Sequence, residues 1–250
     1  MTTDLSGVIS IFFILFCRVG ACIMTMPGFG SERIPMRVRL YIAIGLTAAL
    51  VSPMWNALDQ SLTRASIPAL GAIVVSETLV GVTIGLSVRL FFLALESMAT
   101  IASTSIGLGN ILGAPIHEGE PLPALASFVV LSATTMIFVL DQHWELLRGL
   151  GQSYEVFPVS AALDSEAMLR DLAKSLDRSF VAMFRICSPF LLFGLATNVA
   201  FGFLNRLIPQ VPIYFVSAPI LIFVGVYWMY LMSSDVFSSI SADFALWLRN

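Results

Sequence analysis

Arg18, Glu77, Arg89, Glu96 and Arg185 are ionisable side chains set in or beside long apolar runs of a 250-residue chain. Charges placed this way can do two kinds of chemistry. They can pair with one another between helices, or they can serve a proton-coupled secondary transporter, with Glu77 or Glu96 as the proton site. A transporter is expected to carry broken helices in corresponding halves, and only one broken region is visible in this sequence. Pairing between helices is therefore the favoured reading.

Catalytic patterns are missing around these charges. Gly107-Leu-Gly109-Asn-Ile-Leu-Gly113 has one residue too many before its last glycine for a dinucleotide fingerprint, and no strand precedes it. His117 and His143 are 26 residues apart, far from the spacing of a zinc protease. His117 reads as a loop residue, and His143 with Trp144 reads as an anchor at headgroup level. No Gly-x-Ser-x-Gly elbow occurs. Cys17, Cys22 and Cys187 lie in apolar runs without metal-ligand spacing, as small hydrophobes do. The expectation is a protein that is not an enzyme, with no catalytic residue, cofactor or metal.

The elements that must position these residues follow from composition. The chain is 58% hydrophobic and 12% charged, against about 25% charged in a typical soluble domain. So few charges cannot cover a soluble surface, so the expected class is all-α and integral to a membrane. Of the 29 charged side chains, 11 lie between Asp141 and Arg178. Net charge is −3 with no basic stripe, which excludes nucleic acid as a partner.

Uncharged runs long enough to cross a hydrocarbon core cover 40–58, 121–140, 186–205 and 207–234. Two further runs are interrupted: Leu5 to Met26 contains Arg18, and Ile67 to Leu95 contains Glu77 and Arg89. A charge near the bilayer centre costs at least ~2.5 kcal/mol, so these runs should face protein or water. Gly81 and Gly85, one turn apart, let another backbone approach closely.

From Ser97 to Ile116 small, polar and breaker residues accumulate. The first half should continue a helix and the second half should be a loop, outside the bilayer or lining a protein cavity. Residues 141–178 form a polar segment, with Asp164 as N-cap of a short amphipathic helix carrying Leu169, Leu172, Ala173 and Leu176. Val236, Phe237, Ile240, Phe244, Trp247 and Leu248 share one face of a last helix, interfacial or between subunits. No cleavable signal is expected, so the mature chain should begin near Met1. The economical count is a single helical membrane domain over 1–250.

Three stretches together resemble the flagellar biosynthetic protein FliR family, the T component of type III secretion export gates. The first is Arg18-Val19, then Pro27, then the basic turn containing Arg33, Pro35, Arg37 and Arg39. The second is His143-Trp144, followed by Ser153-Tyr154 and Phe157-Pro158. The third is Leu204-Asn205-Arg206-Leu207-Ile208-Pro209-Gln210-Val211, then Pro219 and Gly225.

This resemblance, over nearly the whole chain, implies helical hairpins packed with FliP-like and FliQ-like membrane proteins in a hetero-oligomeric export gate. Further partners would be other export apparatus membrane proteins, the lipid bilayer and unfolded exported substrates. The gate would sit in the bacterial inner membrane, at the flagellar basal body or, alternatively, in an injectisome. The resemblance also implies a plug loop over 107–123, with Gly107, Gly109, Asn110, Ile111, Leu112, Gly113 and Pro115 as its candidate residues. Where the family often has Asp-Pro, this chain has Ala114-Pro115. Glycines 107, 109 and 113 would act as hinges and Ile111 and Leu112 would seal the pore. The arginines of the 33–39 turn place it in the cytoplasm by the positive-inside rule. Six simple spans would then leave both termini periplasmic, whereas the family suggests a cytoplasmic C-terminus.

Overall fold

The computed structural model describes residues 5–30, 34–62, 67–108, 123–159, 165–208 and 213–249. All regular structure among them is helical. In chain order the helices are α1 (Leu5–Thr25), α2 (Met36–Leu62), α3 (Ile67–Ser105), α4 (Ala124–Val139), α5 (Gln142–Val156), α6 (Ser165–Leu207) and α7 (Ile213–Arg249). Five of them are long and apolar enough to cross a membrane, or up to six spans if α4 and α5 together make one broken span.

The chain gathers into two compact units. The first comprises Met1–Leu90 and His143–Leu176; the second comprises Phe91–Gln142 and Asp177–Asn250. In the first, α1 buries Ile11, Ile14, Leu15, Arg18, Val19, Cys22 and Ile23. That i, i+3, i+4, i+7 spacing is one stripe of a helix. Tyr154 and Val159 join the upper part of this stripe, with Val51, Met54 and Trp55 of α2 and Leu70, Ile73 and Val74 of α3 packed around them. In the second unit Phe91, Phe92 and Phe244 meet with ring centroids 5.0 to 6.1 Å apart. A further cluster there joins Ala102 of α3 and Ile106, just past its end, to Cys187 and Phe190 of α6, with Trp228 of α7 stacked on Phe193.

Three helices outrun the spans drawn from composition. α3, α6 and α7 contain 39, 43 and 37 residues, about 55 to 65 Å at 1.5 Å per residue, against a hydrocarbon core of about 30 Å. The separate short helix expected after residue 164 is instead the opening of α6, and the last amphipathic helix is the end of α7. Hydrogen bonding explains the continuity: a helix stops where its backbone groups lose partners, not where its side chains become polar. The proposed N-cap, Asp164, lies outside the described residues. Pro189 shows how α6 survives a breaker. Its ring removes the amide that would serve the carbonyl of Arg185, and Ser188 Oγ donates to that carbonyl at 2.8 Å. The break between α4 and α5 falls on Asp141, with φ of 57°, a left-handed conformation that aspartate tolerates better than most residues.

Burial is uneven. Of the apolar window in α1, 44% of residues are buried, against 11% in α2 and 6% in α7. The faces of α2 and α7 therefore need lipid or other subunits to cover them.

Candidate functional site

The buried stripe of α1 contains one charge, Arg18, which is fully enclosed. Glu77 of α3, 1% exposed, meets it as a fork: Arg18 Nε donates to Oε2 and Nη2 to Oε1, both at 2.7 Å. The same guanidinium donates from Nη1 to Ser153 Oγ at 3.1 Å and from Nη2 to the Phe157 carbonyl at 2.8 Å. Its carbon lies 3.8 Å from the centre of the Tyr154 ring. Arg18 thus joins α1, α3 and the end of α5 through four charge-assisted hydrogen bonds and one cation–π contact. A planar fork with five donors suits this task; a lysine offers a single point of charge and could not bond both carboxylate oxygens in the same way.

Close packing places the pair. A methyl group on Gly81 would overlap the Arg18 carbonyl oxygen and lie 3.0 Å from Ala21 Cβ. On Gly85 it would overlap Thr25 Oγ1 and lie 2.6 Å from the Cys22 carbonyl oxygen. The two glycines let α3 rest on the backbone of α1, and Glu77, one turn before Gly81, is thereby carried into reach of Arg18.

The second unit holds the stem of the candidate plug loop. Leu108 N–H donates to the Ser103 carbonyl at 2.9 Å and Gly107 N–H to the Thr104 carbonyl at 3.2 Å. With φ of 81° at Gly107, this is a Schellman cap. The α3 end that it closes is gripped by two glycines. A methyl on Gly194 of α6 would come 2.6 Å from Ser105 Cβ, and one on Gly225 of α7 would come 2.9 Å from Ile106 Cβ. Gly107 is therefore the residue at which α3 stops and the loop begins. Gly109, Asn110, Ile111, Leu112, Gly113 and Pro115 lie outside the described residues.

The five ionisable residues do not form one buried set. Arg18 and Glu77 come together; Glu96 is half-buried; Arg89 and Arg185 are exposed on the chain. Arg185 instead bonds Asp243 of α7, Nη2 lying 2.9 and 3.1 Å from its two oxygens. Of the family-motif residues, Pro35, Arg37 and Arg206 are exposed, while Arg33, Pro209 and Gln210 lie outside the described residues. Arg39 donates to the carbonyls of Ile34 and Gly30 at 3.0 and 3.4 Å, which ties the basic turn to itself.

Sequence reasoning missed that Ser153, Tyr154 and the Phe157 carbonyl surround Arg18. Two signals pointed there: Arg18 falls on the apolar stripe of α1, and Ser153, Tyr154 and Phe157 belong to the stretches that carry the family resemblance. The Arg185–Asp243 pair had no such signal, since the expected last span stopped before Asp235.

Comparison with known proteins gives a consistent result. The family described as bacterial export proteins, family 1, matches residues 9–246. The flagellar biosynthetic protein FliR of Caulobacter vibrioides is 30% identical over 224 residues, covering 89% of this chain and 88% of that protein. The protein of the same name in Escherichia coli K12 is 25% identical, covering 87% of this chain and 82% of its own length. That of Bacillus subtilis is 22% identical, covering 94% and 90% respectively.

Proposed function

This chain belongs to the bacterial export proteins, family 1, with the flagellar biosynthetic proteins FliR, and from that membership we propose that it is a structural subunit of the flagellar export gate in the bacterial inner membrane. The observation that carries the proposal is the family match over residues 9–246. In this reading the subunit forms part of the channel wall through which unfolded flagellar proteins leave, and the loop after α3 is its plug. It assembles with FliP-like and FliQ-like membrane proteins, which cover the apolar faces that α2 and α7 leave open.

Physical features support a wall over a pump or an enzyme. Both oxygens of Glu77 are engaged by Arg18, so the carboxylate holds helices together and is poorly placed to exchange protons with a substrate. The capped, gripped end of α3 gives the loop a fixed point of departure, as a stopper needs.

Co-expression with the two smaller partners should yield one stable complex containing this chain. Purification as a self-sufficient homodimer that transports a small solute would overturn the proposal. Deleting Gly109 to Glu118 should leave assembly intact and make the membrane leaky to ions; unchanged conductance would refute the plug.

A further inference from the structure

A cleft of about 380 Å³ lies in the second unit between α6, at Arg185, Ile186 and Pro189, and α7, at Asp235, Ser239 and Asp243. The space far exceeds the ~10–15 Å³ that one water needs. Arg185 and Asp243 neutralise each other at one end, the Asp243 side chain being 13% exposed. Asp235 precedes Asp243 by eight residues, about 12 Å along the same face of α7, and its carboxylate has no ionic partner among the described residues. The stretch Pro219–Ala245 that contains it is long and apolar enough to cross a membrane. An ionised carboxylate in such a segment needs a partner or a water-filled space.

We propose that this cleft receives a lysine or arginine side chain from a helix of a neighbouring membrane subunit, with Asp235 as its counter-ion. Complementarity selects the occupant. The cleft carries two carboxylates and one guanidinium, so one positive charge makes it neutral, while the apolar walls of Ile186 and Pro189 suit the methylene stem of a long basic side chain. The Arg185–Asp243 pair is already closed and has no charge to spare, so the incoming cation is left with Asp235 as its counter-ion.

This inference rests on the reading of the chain as a gate subunit, and the test separates the two. The full-length chain, with Asp235→Asn or Asp235→Lys, is co-expressed with the smaller membrane subunits, and copurified complex is measured against the amount of the chain in the membrane. D235N should lower the yield about fivefold and D235K more than tenfold, with D235K restored when one basic residue of a partner is replaced by glutamate. A wild-type chain that copurifies with nothing overturns the gate reading. A wild-type chain that assembles, with D235N and D235K assembling equally well, overturns this inference alone. A photo-crosslinker at position 239 of the otherwise unaltered chain gives a second readout that needs no charge change. It should capture a partner helix with a basic residue, and capture of lipid only would overturn the assignment.

Discussion

Replacing Arg18 and Glu77 singly and together by leucine turns the buried fork into a measurable coupling. Glu77→Leu leaves a guanidinium at 0% exposure with Ser153 Oγ, the Phe157 carbonyl and the Tyr154 ring, but no counter-charge. Arg18→Leu leaves Glu77 without either of its two 2.7 Å bonds. Breaking a buried pair from one side costs about 3–5 kcal/mol, roughly 150- to 5,000-fold in the folding equilibrium. The double variant removes both charges. Its chief orphan is the Phe157 carbonyl, worth about 1–3 kcal/mol, because Ser153 Oγ still donates to the Leu150 carbonyl at 2.6 Å. The double variant should therefore be more stable than the sum of the singles by at least ~3 kcal/mol. Denaturant titration of the detergent-solubilised full-length chain reads this by tryptophan fluorescence, to which Trp55 beside the same core contributes. Single variants within ~0.5 kcal/mol of wild type, the size of an ordinary surface change, would refute the reasoning. So would a double variant equal to the sum of its parts.

Glycine substitutions test the close contacts. Gly81→Ala and Gly85→Ala force α1 and α3 apart, at ~1–3 kcal/mol for overpacking, whereas Gly45→Ala, with nothing within 4 Å, should gain up to ~1 kcal/mol of helix propensity; the same titration compares them. Gly107→Ala places a Cβ at positive φ and should cost ~1–2 kcal/mol, while its new contact, Leu221 Cδ2 at 3.0 Å, is the end of a flexible side chain and adds little. Gly225→Ala meets the fixed Ile106 backbone and Cβ, so it should be the more damaging of the two in a thermal unfolding series, and the reverse order would contradict the gripped stem.

Much of the architecture was legible residue by residue. Long apolar runs with few charges point to helices, because a backbone in hydrocarbon must satisfy its own polar groups. A continuous apolar run of about 20 residues does so within one segment as a helix. Gly81 and Gly85 announced a close helix contact. Where the helices end was less legible: α6 runs through the polar residues 165–178, and α7 continues past Asp235, since backbone hydrogen bonding ignores the change in side-chain polarity. The Schellman cap at Gly107 depends on a single positive φ, and glycine alone does not specify one.

The sequence by itself determined the class of this protein, its helices, its family and the scarcity of its charges, because these depend on composition and on local periodicity. Only the tertiary structure decided what the charges are for. Arg18 and Glu77 are separated by 59 residues and become one electrostatic unit, Arg185 turns to Asp243, and Asp235 has no ionic partner among the described residues. Local rules say that a buried charge needs a counter-charge; which one it receives is a matter of which helices pack, and long-range packing is written in no short stretch of the chain.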